Sequence, residues 1–470
     1  MRAHEAGWAH APGALKSPAW LKVPEDTNAL VPILWPSTAE KRDGVLHIGG
    51  VALTELVAEH GSAAYVLDET DFRSRAGAFR DAFSDFDVYY AGKAFLCTTI
   101  ARWIAEEGLF LDVCSDGELT VAVRAGVDPA RIGYHGNNKS TRELERAVEL
   151  GVGRIVVDSF AEIDRLAAIT RELGATTRVM VRVTAGVEAH THEFIATAHE
   201  DQKFGFSISS GDAFEAVRRV LAVPGLELLG LHSHIGSQIF DTSGFEVAAR
   251  RVLALHAKVR TEFDIEMPEM DLGGGFGIAY TTQDDPTPPE GLARQLRAII
   301  DRECASLEIS QPRLSIEPGR AIVGPAMCTV YTVGTIKEVA LDGGARRTYV
   351  SVDGGMSDNV RTALYDADYS CTLASRASTA PPVLARVVGK HCESGDIVVK
   401  DEFLPADIAA DDLIAVPATG AYCRSLASNY NHALRPPVIA VRDGATSVII
   451  RRETEDDLLA TDMGAFEGKN

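Results

Sequence analysis

The sequence lacks any run of about 18 consecutive apolar residues, so no segment is predicted to span a bilayer. Its first residues contain no apolar stretch of the kind that a secretory signal needs. The seven cysteines are odd in number and include no CxxC pair, so neither a disulfide framework nor a metal cluster is indicated. We therefore expect a reduced, cytoplasmic protein with no metal site.

Positive charge is also scarce. The chain has 46 Lys and Arg against 67 Asp and Glu, which gives a formal net charge of −21. Because an acidic surface repels phosphate backbones and anionic lipid, we expect no nucleic-acid partner and no membrane partner. Apolar residues make up 46% and charged residues 24% of the chain, a composition that excludes general disorder.

A regular alternation of short apolar runs and amphipathic stretches begins near Ala64. Within it, Thr141–Leu150 has clear helical spacing. Eight apolar runs predict strands at 88–91, 109–111, 132–134, 155–157, 179–181, 228–231, 270–272 and 314–316. Eight such units predict an α/β fold built on a (β/α)8 TIM-like barrel at 69–320, with a doubly wound parallel sheet as the alternative.

After Pro318 the segments become short, rich in β-branched residues and bounded by Gly and Asp turns. This pattern predicts a mainly antiparallel β-domain over 321–470. We expect residues 46–68 to add a strand or helix to that domain before the chain enters the barrel. Residues 1–45, rich in Pro, Ala and polar residues, are predicted to form a loose N-terminal arm, with ordering on contact as the alternative.

Ionisable residues follow most of the predicted barrel strands, where barrel enzymes place their chemistry. They are Lys93, Asp112, Cys114, His135, Asp158, Arg182, His232, His234 and Glu317. The most informative is Lys93, which follows an apolar strand. Burial there would desolvate the amine and lower its pKa, which suits a nucleophile that condenses with a carbonyl group. A lysine that extends into solvent at the rim is the alternative.

The last three strand ends offer groups for a charged ring and an anion. Gly273, Gly274 and Gly275 follow the seventh strand, where backbone N–H groups can approach a phosphate; a plain tight turn is the alternative. At the eighth strand, Glu317 can pair with a cationic ring nitrogen, and Gly319 and Arg320 can reach an anion; an ordinary ion pair is the alternative.

The sixth strand ends in His232 and His234, with Ser237 close behind. A metal site is not expected there, since no third ligand has a recognisable spacing. A ring-stacking imidazole at His234 and a phosphate contact at Ser237 explain the same residues better.

Three segments of the β-domain carry further candidates. Cys392 lies in a polar turn, Tyr422 lies in another turn and can donate to a phosphate, and Arg361 with Tyr365 can hold a carboxylate. Each can equally be a packed or solvated surface residue. The polar stretch 188–193, with two histidines and two glutamates, is predicted to be a loop over the barrel mouth.

Eight motifs in order make the set recognisable: YYAGKAF, DVCSDGEL, HSHIGSQ, DLGGGFG, EPGR, GGMSDN, CESGD and GAY. Over about residues 50–465 the sequence resembles the diaminopimelate decarboxylase family. The resemblance implies a pyridoxal-phosphate enzyme of the alanine-racemase-like fold type, a group that also includes ornithine and arginine decarboxylases. One neighbour departs from the family pattern, since Thr362 stands where proline usually follows the arginine.

The resemblance implies a role for each matched residue. Lys93 would bind the cofactor aldehyde, Glu317 would pair with its ring nitrogen, His234 would stack on the ring, and Cys392 would donate a proton. Further cofactor contacts are implied at Asp112, Ser237, Gly273, Gly274, Gly275, Gly319, Arg320 and Tyr422. Substrate contacts are implied at Arg320, Arg361, Tyr365, Glu393, Ser394 and Tyr422.

The same resemblance implies an activity and an assembly. The expected reaction is the decarboxylation of meso-2,6-diaminopimelate to L-lysine and carbon dioxide, the last step of lysine biosynthesis, with pyridoxal 5'-phosphate as cofactor. The expected assembly is a homodimer in which Cys392 and Glu393 complete the partner's site. A decarboxylase of another basic amino acid, a racemase and a non-catalytic regulator are the alternatives; Glu317 speaks against the racemase, and the intact lysine, glycine loop and thiol speak against the regulator.

Overall fold

The structure, a computed structural model, describes residues 17–186, 203–340 and 346–466. Its strands, in chain order, are β1 (Glu40–Arg42), β2 (Val45–Ile48), β3 (Val51–Ala52), β4 (Ala64–Asp68), β5 (Asp87–Ala91), β6 (Phe110–Val113), β7 (Ile132–Tyr134), β8 (Arg154–Val157), β9 (Thr177–Thr184), β10 (Phe206–Ser207), β11 (Leu226–His232), β12 (Glu269–Asp271), β13 (Arg313–Ile316), β14 (Met327–Ala340), β15 (Arg346–Val352), β16 (Thr372–Leu373), β17 (Pro382–Val388), β18 (Ile397–Pro405), β19 (Leu413–Val416), β20 (Val438–Arg442) and β21 (Ala445–Ile450).

The helices follow the same order. They are α1 (Leu53–His60), α2 (Glu69–Ala82), α3 (Thr98–Glu106), α4 (Asp116–Ala125), α5 (Thr141–Leu150), α6 (Phe160–Leu173), α7 (Asp212–Leu221), α8 (Ser243–Phe263), α9 (Pro289–Leu307), α10 (Arg320–Val323), α11 (Arg361–Tyr365) and α12 (Glu455–Leu459). Within the described ranges, no helix combines the length and apolar character needed to cross a membrane.

Two compact units make up the described chain. The barrel unit comprises Arg73–Ile278 and Pro286–Ile322, and the β unit comprises the described parts of 1–72, 279–285 and 323–470. The short segment Ala279–Asp285 lies inside the range predicted for the barrel but belongs to the β unit.

Eight parallel strands close the barrel. Their order is β5, β6, β7, β8, β9, β11, β12 and β13, and β13 pairs back with β5. Each strand overlaps one of the eight predicted apolar runs, and α5 spans the residues predicted for a helix. The predicted TIM-like barrel is therefore confirmed. The doubly wound alternative is wrong, because the pairing leaves no open edge in this ring of strands.

Local sequence signals set the ends of the barrel helices. The hydroxyl of Ser140 caps α5 in a reciprocal capping box with Glu143, which satisfies two backbone donors at the helix start. Gly151 ends the same helix in the left-handed conformation, at φ 68°. These caps fix the length of the helix, so the next strand begins in register with its neighbours.

The β unit contains a mixed but mainly antiparallel sheet in the order β18, β17, β15, β14, β4, β20 and β21. Only β15 with β17 and β4 with β20 run parallel along this path. The predicted β-domain is confirmed in class. The early stretch contributes β4, which pairs with β14 on one side and β20 on the other.

The core of the β unit includes the end of the predicted N-terminal arm. Leu34 and Trp35 are buried in a cluster with Val66, Val330 and Ile439. Asn28 also donates to the backbone carbonyl of Ser378 at 2.8 Å. This part of the arm is ordered by its contacts within the β unit, the alternative to a loose arm, because these apolar side chains are driven out of water.

Candidate active site

A cavity of about 310 Å³ opens where the barrel strands end. Its walls are Ala91, Lys93, Asp112, Cys114, His135, Gly136, Asn137, Arg182, Phe204, His232, His234 and Glu317. Six strand ends that are far apart in sequence thus supply side chains to one volume inside the barrel unit. This convergence is the consequence that the barrel topology predicts for the carboxyl ends of its strands.

Lys93 lies on the cavity wall in a tight turn, Gly92–Ala94, that directly follows β5. Gly92 packs against β6 so closely that a Cβ there would lie 2.8 Å from the carbonyl oxygen of Asp112. The turn lifts Lys93 away from the apolar strand, and the residue is exposed. The expectation that protein atoms bury and desolvate the amine is therefore wrong, although its placement in the cavity agrees with the sequence analysis.

Glu317, at the end of β13, is buried among imidazoles. Its Oε1 lies 2.9 Å from Nε2 of His232 and 3.4 Å from Nε2 of His135. Burial alone would raise the pKa of the carboxyl, but the charges of both imidazoles and the hydrogen bond from His232 outweigh it. The pKa of Glu317 is therefore held well below its ordinary value, and the group is an anion at neutral pH.

Asp112 is a second buried carboxyl in the cavity with the opposite tendency. Burial raises the pKa of Asp112 well above its ordinary value, and the negative charge of Glu317 adds to the effect. Its Oδ1 lies 3.1 Å from Nε2 of His135, while its Oδ2 has no hydrogen-bond partner among the described residues. The cavity thus contains one carboxylate and one carboxyl that readily holds a proton.

The glycine loop after β12 orients His234. The N–H of Gly274 donates to Nδ1 of His234 at 3.1 Å, so that this ring nitrogen is unprotonated. Burial and then the charge of Lys93 lower the pKa of His234 well below its ordinary value, which agrees with a neutral ring. Gly273 has φ +72°, and a Cβ on Gly274 would lie 2.2 Å from the carbonyl oxygen of Glu317. Only glycine fits this close approach.

Ser237 and Arg320 meet beside the loop. Nη2 of Arg320 donates to Oγ of Ser237 at 2.8 Å, and Arg320 is buried at the start of α10. A Cβ on Gly319 would lie 2.9 Å from the carbonyl oxygen of Ala91, so glycine lets the eighth strand end approach the first. A hydroxyl and a guanidinium are groups that bind an anion.

Three of these groups also satisfy a geometric criterion for a metal ion. The ligand atoms of His135, His232 and Glu317 all lie within 4.8 Å of one another. No recognisable spacing in the sequence links the two histidines to Glu317, because tertiary structure alone brings it to them. The hydrogen bond of His232 to Glu317 and the close approach of His135 account for this arrangement as a carboxylate–imidazole network.

The remaining predicted site residues lie in the β unit. Cys392, Glu393 and Ser394 are exposed in the turn before β18, where the N–H of Cys392 donates to Oδ1 of Asn431 at 3.0 Å. Tyr422 is half-buried and has φ +61°, a strained conformation for a side chain of this size. The predicted loop at 188–193 lies outside the described residues.

Arg361 and Tyr365 occupy the two ends of α11. Arg361 is buried, its guanidinium lies 4.3 Å from the ring centre of Tyr280, and its Nη1 donates to the hydroxyl of Tyr369. Nε of Arg361 has no hydrogen-bond partner within the described ranges. The cation is therefore preorganised by two aromatic rings and retains one unused donor. Tyr365 is half-buried at the far end of the helix.

Sequence reasoning gave no role to three residues of the barrel interior. His135 and His232 were recognised as strand ends, but their contact with Glu317 depends on barrel closure. Arg154 begins β8 and is almost fully buried. Alternation along the strand could not have placed it, since all four residues of β8 are buried.

The family model of the pyridoxal-binding domain of pyridoxal-dependent decarboxylases matches residues 69–324. A closed barrel with a lysine after its first strand and an ionised carboxylate after its eighth agrees with that class.

Relatives that match nearly the whole length of this chain show which family of pyridoxal-dependent decarboxylases it belongs to. The chain is 56% identical over 440 residues to the diaminopimelate decarboxylase of Mycobacterium tuberculosis, covering 92% of this chain and 98% of the relative. It is 54% identical over 471 residues to that of Mycobacterium leprae, covering 98% and 100%. The crystal structure of diaminopimelate decarboxylase from M. jannaschii in complex with L-lysine superposes with a TM-score of 0.85 at 30% identity, covering 91% of this chain and 98% of that one. The chain belongs to the diaminopimelate decarboxylase family.

The cofactor of this class is pyridoxal phosphate, and the barrel residues fit it. The cavity offers an amine for the aldehyde at Lys93 and a buried anion for a protonated ring nitrogen at Glu317. His234 offers a neutral imidazole whose orientation is fixed. The glycine loop offers backbone that no side chain obstructs, which is how proteins approach a phosphate.

Proposed function

We propose that the protein decarboxylates meso-2,6-diaminopimelate to L-lysine and carbon dioxide, the last step of lysine biosynthesis. The observation that carries the proposal is Glu317, held as a buried anion by two histidines in the same cavity as Lys93. A racemase needs a weaker electron sink, for which a cationic partner of the ring nitrogen would be expected. The lysine bound in the M. jannaschii relative is the product of the proposed reaction.

When bound, pyridoxal phosphate supplies an electron sink for the bond that releases carbon dioxide. The chain's own residues do the rest. Nζ of Lys93 would hold the cofactor through its aldehyde and release it when the substrate amine is bound. The carboxylate of Glu317 would hold a proton at the ring nitrogen, and the imidazole of His234 would fix the orientation of the ring.

The phosphate and the substrate need separate anion sites. We assign the phosphate to Ser237, the glycine loop 273–275, Gly319 and Tyr422, with Asp112 as a further cofactor contact. For the substrate we assign Arg320, Arg361, Tyr365, Glu393, Ser394 and Tyr422. Two arginines suit a dicarboxylic substrate, whereas ornithine and lysine carry only an amine at the far end. A decarboxylase specific for those amines would be expected to present acidic groups instead.

Reprotonation is assigned to the thiol of Cys392, because cysteine is one of the side chains that can transfer a proton to a reacting group. Cys392 and Glu393 are exposed in the turn before β18. We propose that the protein is a cytoplasmic homodimer in which this turn completes the partner's site. The proposed domains are the arm at 1–45, the β-domain at 46–68 and 321–470, and the cofactor-binding barrel at 69–320.

A mixed-dimer experiment tests the shared site. A Lys93→Ala protomer and a Cys392→Ala protomer, each nearly inactive alone, are expected to regain part of the activity when unfolded together and refolded. In a mixed dimer, one of the two sites then has both an intact lysine and an intact thiol. Mixtures that remain as inactive as the separate variants would contradict the shared site.

A substrate panel tests the activity itself. Release of carbon dioxide from meso-diaminopimelate, ornithine, lysine and arginine is measured with added pyridoxal phosphate, and L-lysine is identified as product. We expect turnover of meso-diaminopimelate alone to be efficient. Preferred turnover of ornithine or arginine would replace the proposal with its alternative, and a colourless protein without a borohydride-reducible adduct at Lys93 would exclude both.

A further inference from the structure

A fully buried carboxylate lies at the end of β12, beneath the glycine loop. Oδ1 of Asp271 accepts the N–H of Gly273 at 2.6 Å, and Oδ2 accepts the hydroxyl of Ser315 at 2.7 Å. The same Oδ2 accepts Nη2 of Arg154. One carboxylate therefore joins β8 and β13 to the first residue of the loop.

Arg154 is the cation that makes this burial tolerable. The residue is 1% exposed, its Nη1 donates to Ser315 at 3.0 Å, and its guanidinium lies 3.7 Å from the ring centre of Tyr89. A buried carboxylate without such a partner would take up a proton rather than stay charged. The pairing gives the carboxylate of Asp271 a cationic partner on one side while it accepts the N–H of Gly273 on the other, and hydrogen bonds to such a group are among the stronger ones.

Gly273 in turn contacts the site on two sides. Its carbonyl oxygen accepts the N–H of Glu317 at 3.0 Å. The next residue, Gly274, donates its N–H to Nδ1 of His234 at 3.1 Å. The bond from Gly273 to the side chain of Asp271 closes a turn that ends at the left-handed Gly273. A shift of this turn would move both the imidazole and the backbone that carries the carboxylate.

We propose that Asp271 and Arg154 are positioning residues for cofactor binding. Neither lines the cavity. They act through the glycine loop, whose conformation sets where His234 and Glu317 meet the cofactor ring and where the phosphate is received. The inference rests on pyridoxal phosphate as the cofactor and on the proposed role of the loop, but it is independent of which amino acid is the substrate.

Cofactor affinity is the readout that a merely structural role would not change. The full-length protein is stripped of cofactor and titrated with pyridoxal phosphate, and thermal stability is measured on the same samples. In Asp271→Asn the amide either accepts from Gly273 and turns its N–H groups toward Arg154, or keeps an uncharged oxygen on Arg154 and loses the acceptor for Gly273. We expect the dissociation constant to rise about tenfold to a hundredfold, the loss typical of a charge-assisted hydrogen bond.

Ser315→Ala is the matched control. It removes two hydrogen bonds from the same buried group but leaves the bond between Asp271 and Gly273 intact. We expect thermal stability to fall while the dissociation constant changes by less than about threefold. Equal weakening in Ser315→Ala and Asp271→Asn would overturn the proposal, because disruption of the barrel interior would then explain both. Wild-type affinity in Asp271→Asn would overturn it as well.

Arg154→Lys keeps the test decisive if Asp271→Asn does not fold. Lysine retains the charge but loses the fork that reaches Asp271 and Ser315 together. We expect cofactor affinity between that of the wild type and that of Arg154→Met, which marks rescue by the conservative change. Identical affinity in Arg154→Met and the wild type would overturn the proposal. Normal cofactor affinity in these variants would overturn the positioning role. A changed substrate preference would count against the proposed function.

Discussion

Buried acids serve different purposes in the barrel unit and the β unit. In the barrel, Asp112 and Glu317 line an open cavity, and Oδ2 of Asp112 has no partner among the described residues. In the β unit, Asp396 is equally buried, but both its oxygens bind backbone, the N–H of Met356 at 2.6 Å and that of His391 at 2.7 Å. A buried acid therefore indicates chemistry only where its oxygens face open volume.

The same contrast holds for the cysteine turn of the β unit. Asp396 fixes the turn by its backbone contacts, while Cys392 and Glu393 project from it into solvent. The barrel gathers its reactive groups inside one fold, whereas this turn presents them on an exposed edge. We expect changes in the barrel to affect catalysis first and changes to the buried acids of the β unit to affect stability first. The following predictions test this comparison, in order of expected size.

Removing the amine should have the largest effect. Lys93→Ala is expected to lower kcat by more than about 10⁴-fold, because the group proposed to hold the cofactor is lost. Steady-state kinetics and borohydride reduction followed by peptide mapping measure the loss. The control is Lys337→Ala, an exposed lysine on β14, which should behave as the wild type. Substantial activity in Lys93→Ala would remove the basis of the barrel site.

Neutralising Glu317 should rank second. Glu317→Gln is expected to lower kcat by about 10²- to 10³-fold, since a preorganised charge at the ring nitrogen is lost. The control is Glu303→Gln. It removes a carboxylate on the outer helix α9 that pairs with Arg250, and it should change stability alone. Equal kinetic losses in both variants would contradict the assignment.

The lowered pKa of Glu317 also predicts how the stability of the protein depends on pH. Because its folded-state pKa lies below the ordinary value of 4.5, its contribution to stability is complete above that value and is lost as the pH falls through the lower, folded-state pKa. Urea unfolding at a series of acidic pH values should show a shallower loss of stability in Glu317→Gln. If Glu317→Gln and the wild type lose stability equally as the pH falls, the carboxyl is not held as an anion.

Asp358, in the β unit, should make stability depend on pH in the opposite direction. Burial raises its pKa to about 7, so its protonated form is favoured in the folded state. Its contribution is fully present below the ordinary pKa of 3.8, falls as the pH rises toward about 7 with a slope approaching about 1.4 kcal/mol per pH unit, and is lost above about 7. Asp358→Asn should flatten that slope in urea unfolding, and exposed Asp411→Asn should not. Identical slopes in all three proteins would contradict the raised pKa.

The smallest effect is expected at Thr362. Its hydroxyl donates to the carbonyl oxygen of Val398 at 3.1 Å from the second position of α11, where proline is tolerated. Thr362→Pro restores the family's usual residue, loses this hydrogen bond and stiffens the unfolded chain. The two effects oppose each other, so the free energy of unfolding should change by less than about 1 kcal/mol. A larger change, or an altered KM, would show that Thr362 helps to place Arg361.

Much of the barrel was predictable from local pattern. The apolar runs predicted all eight barrel strands, and the helical spacing of Thr141–Leu150 gave α5 with its observed bounds. The positions of Lys93, His234 and Glu317 at strand ends predicted that they would share a cavity. What local pattern could not give was the exposure of Lys93, because a single turn after β5 decides whether the residue faces the core or solvent.

By itself, the sequence determined the order of the elements, the fold class and the residue types available at each strand end, because periodicity and capping are encoded locally. Only the tertiary structure decided which of those side chains meet. Barrel closure brings His135 and His232 to Glu317 and seats Arg154 against Asp271. Burial and close charges, which set the pKa of each group, arise only when distant strand ends share one low-dielectric volume.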